Sequence, residues 1–144
     1  MLKLPVVHPA LLASLARAGH GSTILIADGN YPHVTGARPE ADRIYLNFAP
    51  GQLTVLQVLS GICQIVPIER ARVMTSEPLR DLPLFAEYRK LLGRDLDLVE
   101  RFAFYEAART NDMAVVIATA DQQHYANVLL TVGVLTDNPI ELGG

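Results

Sequence analysis

Thr23-Ile-Leu-Ile-Ala27 is an uninterrupted apolar run that leads directly into the turn-forming sequence Asp28-Gly29-Asn30. The run is too short for most helices and is rich in β-branched residues, so it predicts a buried strand with Asp28 at its carboxyl end. A second run of the same character extends from Met113 to Ala118. Strands that are apolar along their whole length are typical of a sheet covered on both faces. The two runs therefore predict the centre of a largely buried sheet.

The segments around these runs alternate between helical and extended patterns. Helical spacing of apolar residues predicts helices at Pro9–Ala18, Gln52–Gln64, Leu84–Leu92 and Phe102–Arg109. Shorter strands are predicted at Ile44–Asn47, Arg72–Thr75, Leu96–Glu100 and Asn127–Val132, the first of them inside a proline-rich loop. At 144 residues the chain fits one domain. Because strands alternate with helices, we expect an α/β sandwich.

The composition excludes several classes of function. Half of the residues are apolar and the net charge is -3, with lysine and arginine scattered singly, so we expect no binding to nucleic acid. The single cysteine, Cys63, lies in an apolar segment and indicates a reducing compartment. The first residues lack the pattern of a signal peptide, and no apolar run approaches the ~18 residues that suggest a membrane span. We therefore expect a cytoplasmic protein with no membrane contact.

Two polar residues flank the first buried strand. His20 follows a predicted helix that stops at Gly19, where the negative end of the helix dipole favours a protonated imidazole that can donate a proton. The alternative is a capping role, in which His20 bonds a terminal carbonyl. Asp28 stands where ligands bind in open α/β sheets and can accept two sugar hydroxyls, or it can form an Asx turn with Gly29 and Asn30. One residue can fill both roles.

Aromatic residues are concentrated in Arg101-Phe-Ala-Phe-Tyr105-Glu106. Aromatic rings pack on the C–H faces of sugars and a phenol supplies a donor and an acceptor, so Tyr105 is a candidate ligand contact. The alternatives are core packing and, for Arg101, a surface ion pair. Tyr125 and Asn127 are two residues apart, so in an extended chain they face the same side and can reach one ligand; a turn before the last strand is the alternative.

Other kinds of site have little support in the sequence. The remaining histidines, His8, His33 and His124, have no compact metal-ligand spacing with Asp28. The glycine-rich nucleotide motifs and the zinc-protease and serine-hydrolase motifs are absent. We expect no metal and no cofactor.

Four segments, taken in order, resemble the family of L-fucose mutarotases and D-ribose pyranases: Gly19-His20-Gly21, Ala27-Asp28, Arg101-Phe-Ala-Phe-Tyr-Glu106, and Tyr125-Ala-Asn-Val-Leu-Leu130 followed by Gly133-Val134. The likeness covers about Met1 to Val134 and leaves Leu135 to Gly144 as a tail. It implies a single-domain, three-layer α/β/α sandwich over residues 1–144. It also implies an isomerase of the fucose branch, because ribose pyranases tend to have histidine where Tyr105 stands.

The resemblance also implies roles for individual residues. His20 is the expected proton donor, and Tyr105 is expected to help in proton transfer. The expected sugar-binding residues are Asp28, Arg101, Tyr125 and Asn127. The implied partners are a monosaccharide substrate and further copies of the chain, in a ring-like homo-oligomer such as a decamer whose neighbouring subunits complete each other's sites.

Two departures from the family pattern bear on the substrate. Fucose mutarotases often carry a Leu-Asp pair near Ile65-Val66, and an Ala-His-Phe-Pro run where this chain has Gly29-Asn-Tyr-Pro32. The alternatives to a fucose mutarotase are a D-ribose pyranase and a sugar-binding or regulatory protein that keeps the pocket without catalysis. A purely structural oligomer subunit, the third class, predicts no sugar binding.

Overall fold

The computed structural model describes residues 1–136, and its helices and strands alternate along the chain. In chain order they are α1 (Pro9–Arg17), β1 (Thr23–Ala27), β2 (Asp42–Tyr45), α2 (Val55–Cys63), β3 (Ile68–Thr75), α3 (Leu84–Leu92), β4 (Asp97–Glu100), α4 (Arg101–Ala108), β5 (Met113–Ala118) and β6 (Val128–Val132). No helix in this part of the chain is long and apolar enough to cross a membrane.

The six strands form one mixed sheet in the order β2-β5-β1-β6-β3-β4. β1 lies at the centre, parallel to β5 and antiparallel to β6. β6 is also antiparallel to β3, whereas β2 pairs with β5, and β4 with β3, in parallel. All five residues of β1 are buried, as its continuous apolar sequence predicts.

Alternate residues of the central strands feed two separate cores. Ile24 and Ile26 of β1 belong to the core shared with α1, α2 and α3, where Leu59 and Phe85 are fully buried. Leu25 belongs to the opposite core, which α4 covers. Successive side chains of a strand point to opposite faces, so a strand apolar at every position needs helices on both sides. The result is the three-layer α/β/α sandwich that the family resemblance implied.

The sequence predicted every one of these elements and missed mainly their ends. β1, α3 and β5 have the predicted bounds, and α3 stops where Gly93 adopts a left-handed φ of 64°. β3 begins four residues earlier than predicted, at Ile68, because its amino half pairs with β6. The predicted helix at residues 52–64 begins only at Val55, because Thr54 forms a capping box with Gln57. The predicted tail lies outside the described residues from position 137 onward.

Candidate functional site

Several chain segments carrying predicted site residues meet at one end of the sheet. β1 ends there and is followed by Asp28, while the antiparallel β6 begins there and is preceded by Asn127. β4 also ends there, because Glu100 pairs with Thr75 at the last position of β3. We call this the carboxyl end of the sheet, after its central strand. In open α/β sheets the space beyond such an end is the usual place for a ligand.

Asp28 is buried, and only one of its two carboxylate oxygens accepts hydrogen bonds from other described residues. Its Oδ1 accepts hydrogen bonds from the backbone N–H groups of Asn30, at 2.9 Å, and Tyr31, at 2.8 Å, which confirms the predicted Asx turn. Within residues 1–136 its Oδ2 has no hydrogen-bond partner, although the residue is 5% exposed. Burial raises the pKa of this carboxyl, against the lowering effect of the two backbone hydrogen bonds. A carboxylate oxygen is thus left for the hydroxyl groups of a ligand.

Asn127 is hydrogen-bonded to the same turn. Its Oδ1 accepts the backbone N–H of Asp28 at 2.7 Å, across the boundary between β1 and β6. The amide group carries two N–H donors, and the oxygen is the atom fixed by this bond. The N–H donors of Asn127 therefore belong to a side chain held next to Asp28, which supplies an acceptor. Both residues can then bind one hydroxylated ligand.

Aromatic residues line the neighbouring part of the core under α4. The ring of Tyr105 lies 5.4 Å from the ring of Tyr31, centroid to centroid, and the Arg109 guanidinium lies 5.7 Å from the centre of the Tyr105 ring. Tyr105 is half-buried, and it packs on the same core as Tyr125. Burial, followed by the neighbouring Tyr105, raises the pKa of Tyr31, whose hydroxyl donates to the Gly36 carbonyl at 2.6 Å. Tyr31 is thus a packing residue held in place by its hydrogen bond, and it does not transfer protons.

The predicted extended spacing of Tyr125 and Asn127 is wrong. Tyr125 has a φ of 61°, in the left-handed region that a tyrosine rarely adopts, so the chain turns there instead of running straight into β6. The turn was the alternative weighed from the sequence. A non-glycine residue held in this region is a strained backbone position, and such positions cluster at ligand sites.

Arg101 begins α4 at the carboxyl end of the sheet and is exposed. Its guanidinium carbon lies 4.8 Å from the centre of the Phe102 ring. Within residues 1–136 Arg101 forms no salt bridge, so the surface ion pair considered from the sequence is not formed with any described carboxylate. Its donors are therefore available to a ligand that approaches from solvent.

His20 lies at the opposite end of the sheet. It precedes β1, whereas Asp28 follows it, and a strand of five residues spans roughly 16 Å at about 3.3 Å per residue. Instead of capping α1, whose last carbonyls accept from the Ala18 N–H, the His20 Nε2 lies 3.1 Å from the Glu69 carboxylate. The imidazole lines a cavity of about 260 Å³ with Ile65 and Val66. One copy of the chain does not bring His20 to Asp28.

The sequence did not point to three residues that contact the predicted site residues His20 and Asp28. Glu69 contacts His20 across 49 positions of sequence, so no local pattern could reveal it. Tyr31 could have been found, because the Asx turn at Asp28 fixes the residue three positions later. His33, which the sequence analysis considered only as a metal ligand, donates from Nε2 to the Asp28 carbonyl oxygen at 2.8 Å. Among the described residues, no group of three or more histidine, cysteine or acidic side chains is placed to hold a metal ion.

Comparisons with known proteins agree on one family. The family model described as "RbsD / FucU transport protein family" matches residues 1–135. The human "Fucose mutarotase" is 34% identical, with 94% of each chain covered. "D-ribose pyranase 2" of Streptomyces griseus is 32% identical over 93% of this chain and 98% of its own. A crystal structure of the fucose mutarotase from Streptococcus pneumoniae in complex with L-fucose superposes with a TM-score of 0.80 at 26% identity, covering 94% of this chain and 100% of that one.

Proposed function

Because the chain belongs to the RbsD/FucU family, we propose that it is a mutarotase, an isomerase that interconverts the anomers of L-fucose or a closely related aldose. The observation that carries this proposal is the buried carboxylate of Asp28, next to Asn127 at the carboxyl end of the sheet. One of its oxygens has no hydrogen-bond partner among the described residues. A buried acceptor and a buried amide fixed to one turn suit adjacent hydroxyl groups of a sugar ring. The names of the human and pneumococcal relatives support fucose as the first sugar to test.

The sugar is held by the groups at the carboxyl end of the sheet. Asp28 accepts from hydroxyl groups through Oδ2, and the Asn127 amide donates to them. Arg101 donates from the start of α4, and Tyr125 adds an amphipathic ring from the turn before β6. These contacts orient the ring without a metal or nucleotide.

Ring opening requires one proton to leave and another to arrive. Tyr105, or a water beside it, relays the proton of the anomeric hydroxyl to solvent as the carbonyl forms. His20 protonates the ring oxygen, so that the bond between this oxygen and the anomeric carbon breaks. Rotation of the aldehyde and reversal of the same transfers give the other anomer. The uncatalysed reaction already proceeds in water, so positioned acid–base catalysis of about 10²–10⁴-fold is a sufficient contribution.

The separation of His20 from Asp28 requires a second copy of the chain in this mechanism. In our proposal the protein is a homo-oligomer in which His20 of one subunit meets the carboxyl end of the sheet of its neighbour. The exposure of His20, with 59% of its side chain accessible, supports a contact with a neighbouring subunit. A head-to-tail contact of this kind joins two different surfaces, and repeated around an axis it closes a ring.

D-ribose pyranase activity is the second candidate. The S. griseus pyranase is nearly as similar to this chain as the human fucose mutarotase, at 32% against 34% identity. The same ring opening followed by closure through a different hydroxyl converts a pyranose into a furanose. Tyr105 occupies the position at which ribose pyranases tend to have histidine, which favours the fucose branch. A sugar-binding protein without catalysis is the third candidate.

Saturation-transfer NMR of anomer exchange tests the proposal. L-fucose, D-ribose and a panel of other aldoses are each measured with and without the protein, and we expect faster exchange for one of them. His20→Ala should lower the catalysed rate at least about 100-fold while the protein keeps its fold. His8→Asn is the matched control, since the His8 ring accepts the Leu11 N–H as the cap of α1 and asparagine can do the same.

Each outcome of this experiment is informative. Exchange accelerated for L-fucose identifies a fucose mutarotase, and acceleration of pyranose–furanose exchange for D-ribose identifies a pyranase. Saturable sugar binding without faster exchange would instead identify a binding protein. Full activity in His20→Ala would remove His20 from the mechanism.

A further inference from the structure

A second cleft, of about 500 Å³, opens beyond the ends of β1, β5 and β2. It is formed by Gly29 and Asn30 on one side, by the segment 47–50 on another, and by the segment 119–122 after β5. None of the residues assigned above to sugar binding or proton transfer lines this cleft. Its volume lies within the range of about 300–1,000 Å³ that is usual for small-molecule sites.

Main-chain hydrogen bonds fix the walls of this cleft to one another. Gly29 N donates to the Asp121 carbonyl at 2.8 Å, and Gly51 N donates to the Ala120 carbonyl at 2.7 Å. Ala120 N in turn donates to the Leu53 carbonyl at 3.1 Å. The φ of Gly51 is 84°, so its left-handed turn brings the segment after β2 back onto the loop after β5. The cleft is therefore already formed without a ligand, which lowers the entropic cost of binding.

Five of the ten residues that line the cleft have polar side chains, and all but one of these five are uncharged. Asn30, Asn47 and Gln122 contribute three amide groups, none of which has a side-chain hydrogen bond to another described residue. The one acidic residue, Asp121, is occupied: its Oδ2 accepts the Val55 N–H at the start of α2, and its Oδ1 accepts the N–H two residues further along its own loop. Amides donate and accept, so the lining suits a neutral ligand with many hydroxyl groups.

Phe48 gives the cleft an aromatic face. It is 88% exposed, by far the most exposed of the phenylalanines, at the wall formed by segment 47–50. The Phe48 ring makes no aromatic contact with another described residue, and its face can pack against the apolar C–H groups of a sugar ring. An aromatic face beside uncharged amides suits a saccharide, and the lining contains no lysine or arginine to bind a phosphate or another anion.

We propose that this cleft is a second saccharide site, separate from the mutarotase site, which stacks a pyranose ring on Phe48 and binds its hydroxyl groups through Asn30, Asn47 and Gln122. The proposal depends on the lining of the cleft and not on the mutarotase activity. Because the cleft has no proton donor or acceptor assigned to ring opening, the site binds sugars whose anomeric carbon is blocked as well as free ones.

Methyl glycosides are the appropriate probe, since without a free anomeric hydroxyl they cannot undergo ring opening. Saturation-transfer difference NMR is run on the full chain with methyl α-L-fucopyranoside, methyl β-D-galactopyranoside and methyl α-D-mannopyranoside. We expect at least one to bind with a dissociation constant of about 10 mM or below. The strongest transfer should reach the C–H protons of the face that stacks on Phe48.

Matched variants separate this site from the first. Phe48→Leu keeps an apolar side chain but removes the ring, and should weaken binding about tenfold, whereas Phe48→Tyr should keep it. Asn47→Ala should also weaken it. Asp28→Asn tests whether the glycoside binds at the first site instead, and Glu87→Gln on α3 is the control that should leave binding unchanged. Exchange of free L-fucose, measured in parallel, reports on the mutarotase proposal alone.

Several results would overturn the second site. One is the absence of binding for all three glycosides, and another is equal binding to the wild type and Phe48→Leu. A loss of binding in Asp28→Asn would assign the signal to the first site. If Phe48→Leu changed the oligomeric state in sedimentation experiments but not the affinity, Phe48 would be an interface residue and the proposal would fail.

Discussion

The Nε2 atom of His20 lies 3.1 Å from one carboxylate oxygen of Glu69 and 3.2 Å from the other. The carboxylate can only accept, so Nε2 carries the proton and Nδ1 is left for another partner or for a second proton. Fucose mutarotases often have an acidic residue near the position of Ile65-Val66 that this chain lacks. Glu69, on β3, places a carboxylate beside His20 from a different position in the sequence.

Glu69→Gln should therefore slow anomer exchange while leaving the fold intact. The amide keeps the size of the side chain but loses one of the two carboxylate oxygens that lie beside the His20 Nε2 and orient the imidazole. We expect kcat/KM to fall about tenfold, with KM little changed because Glu69 contacts His20 and not the residues proposed to bind the sugar. Glu87→Gln on α3 is the matched control. An equal fall in both variants would show that Glu69 does not act through His20.

The second prediction concerns the cost of burying Asp28. Its pKa is raised in the folded chain, which means that the folded state binds this proton more tightly than the unfolded chain does. The corresponding stability is fully present below the unfolded value of 3.8 and is lost as the pH rises through the folded pKa. Above the folded pKa, the ionised Asp28 thus lowers the free energy of unfolding, and in our proposal this cost is balanced by its role in sugar binding.

Asp28→Asn should accordingly be at least as stable as the wild type at pH 7 while losing activity. Asparagine can keep the Asx turn through its Oδ1, but it cannot supply the second acceptor oxygen. We expect kcat/KM to fall at least about tenfold, the worth of a hydrogen bond to a charged group. Urea unfolding at pH 7 and near pH 4 measures the stability difference, which should shrink at the lower pH. A variant markedly less stable at pH 7 would contradict the prediction.

A third prediction follows from the placement of His20 and Asp28 at opposite ends of β1. If two copies of the chain complete one site, His20→Ala and Asp28→Asn are each impaired alone but complement each other when co-expressed. In randomly mixed oligomers, about one quarter of the sites combine an intact His20 with an intact Asp28 from different subunits. Anomer exchange by the mixed protein should recover to roughly that fraction of the wild-type rate.

The control for this experiment pairs His20→Ala with the double variant that carries His20→Ala and Asp28→Asn. No site in that mixture has an intact histidine, so activity should stay at the level of His20→Ala. If the first mixture also fails to recover although the subunits mix, the two residues act within separate sites and the proposed mechanism is wrong.

The sequence predicted the fold better than the site. Continuous apolar strands such as residues 23–27 and 113–118 require two covering layers, and this requirement is visible in the residues themselves. The turn at Asp28 could also be predicted from the sequence, because its hydrogen bonds join residues only two and three positions apart. The partnership of His20 with Glu69 was not, because it depends on the pairing of β6 with both β1 and β3. The left-handed backbone of Tyr125 could not be predicted either, because tyrosine has no preference for a positive φ.

The last prediction concerns Arg43, which holds together the loop that follows Asp28. Its guanidinium donates to six main-chain carbonyls, those of His33, Val34, Ala37, Arg38, Pro39 and Ala41. A lysine ammonium cannot satisfy this planar set of acceptors, so Arg43→Lys should lower the free energy of unfolding by about 1–3 kcal/mol. Because His33 links this loop to the Asp28 carbonyl, KM for the sugar should rise as well. Arg80→Lys is the control, since its exposed side chain donates to no described residue, and urea unfolding with exchange NMR measures both effects. A rise in KM without a loss of stability would show that Arg43 contacts the sugar instead of supporting the loop.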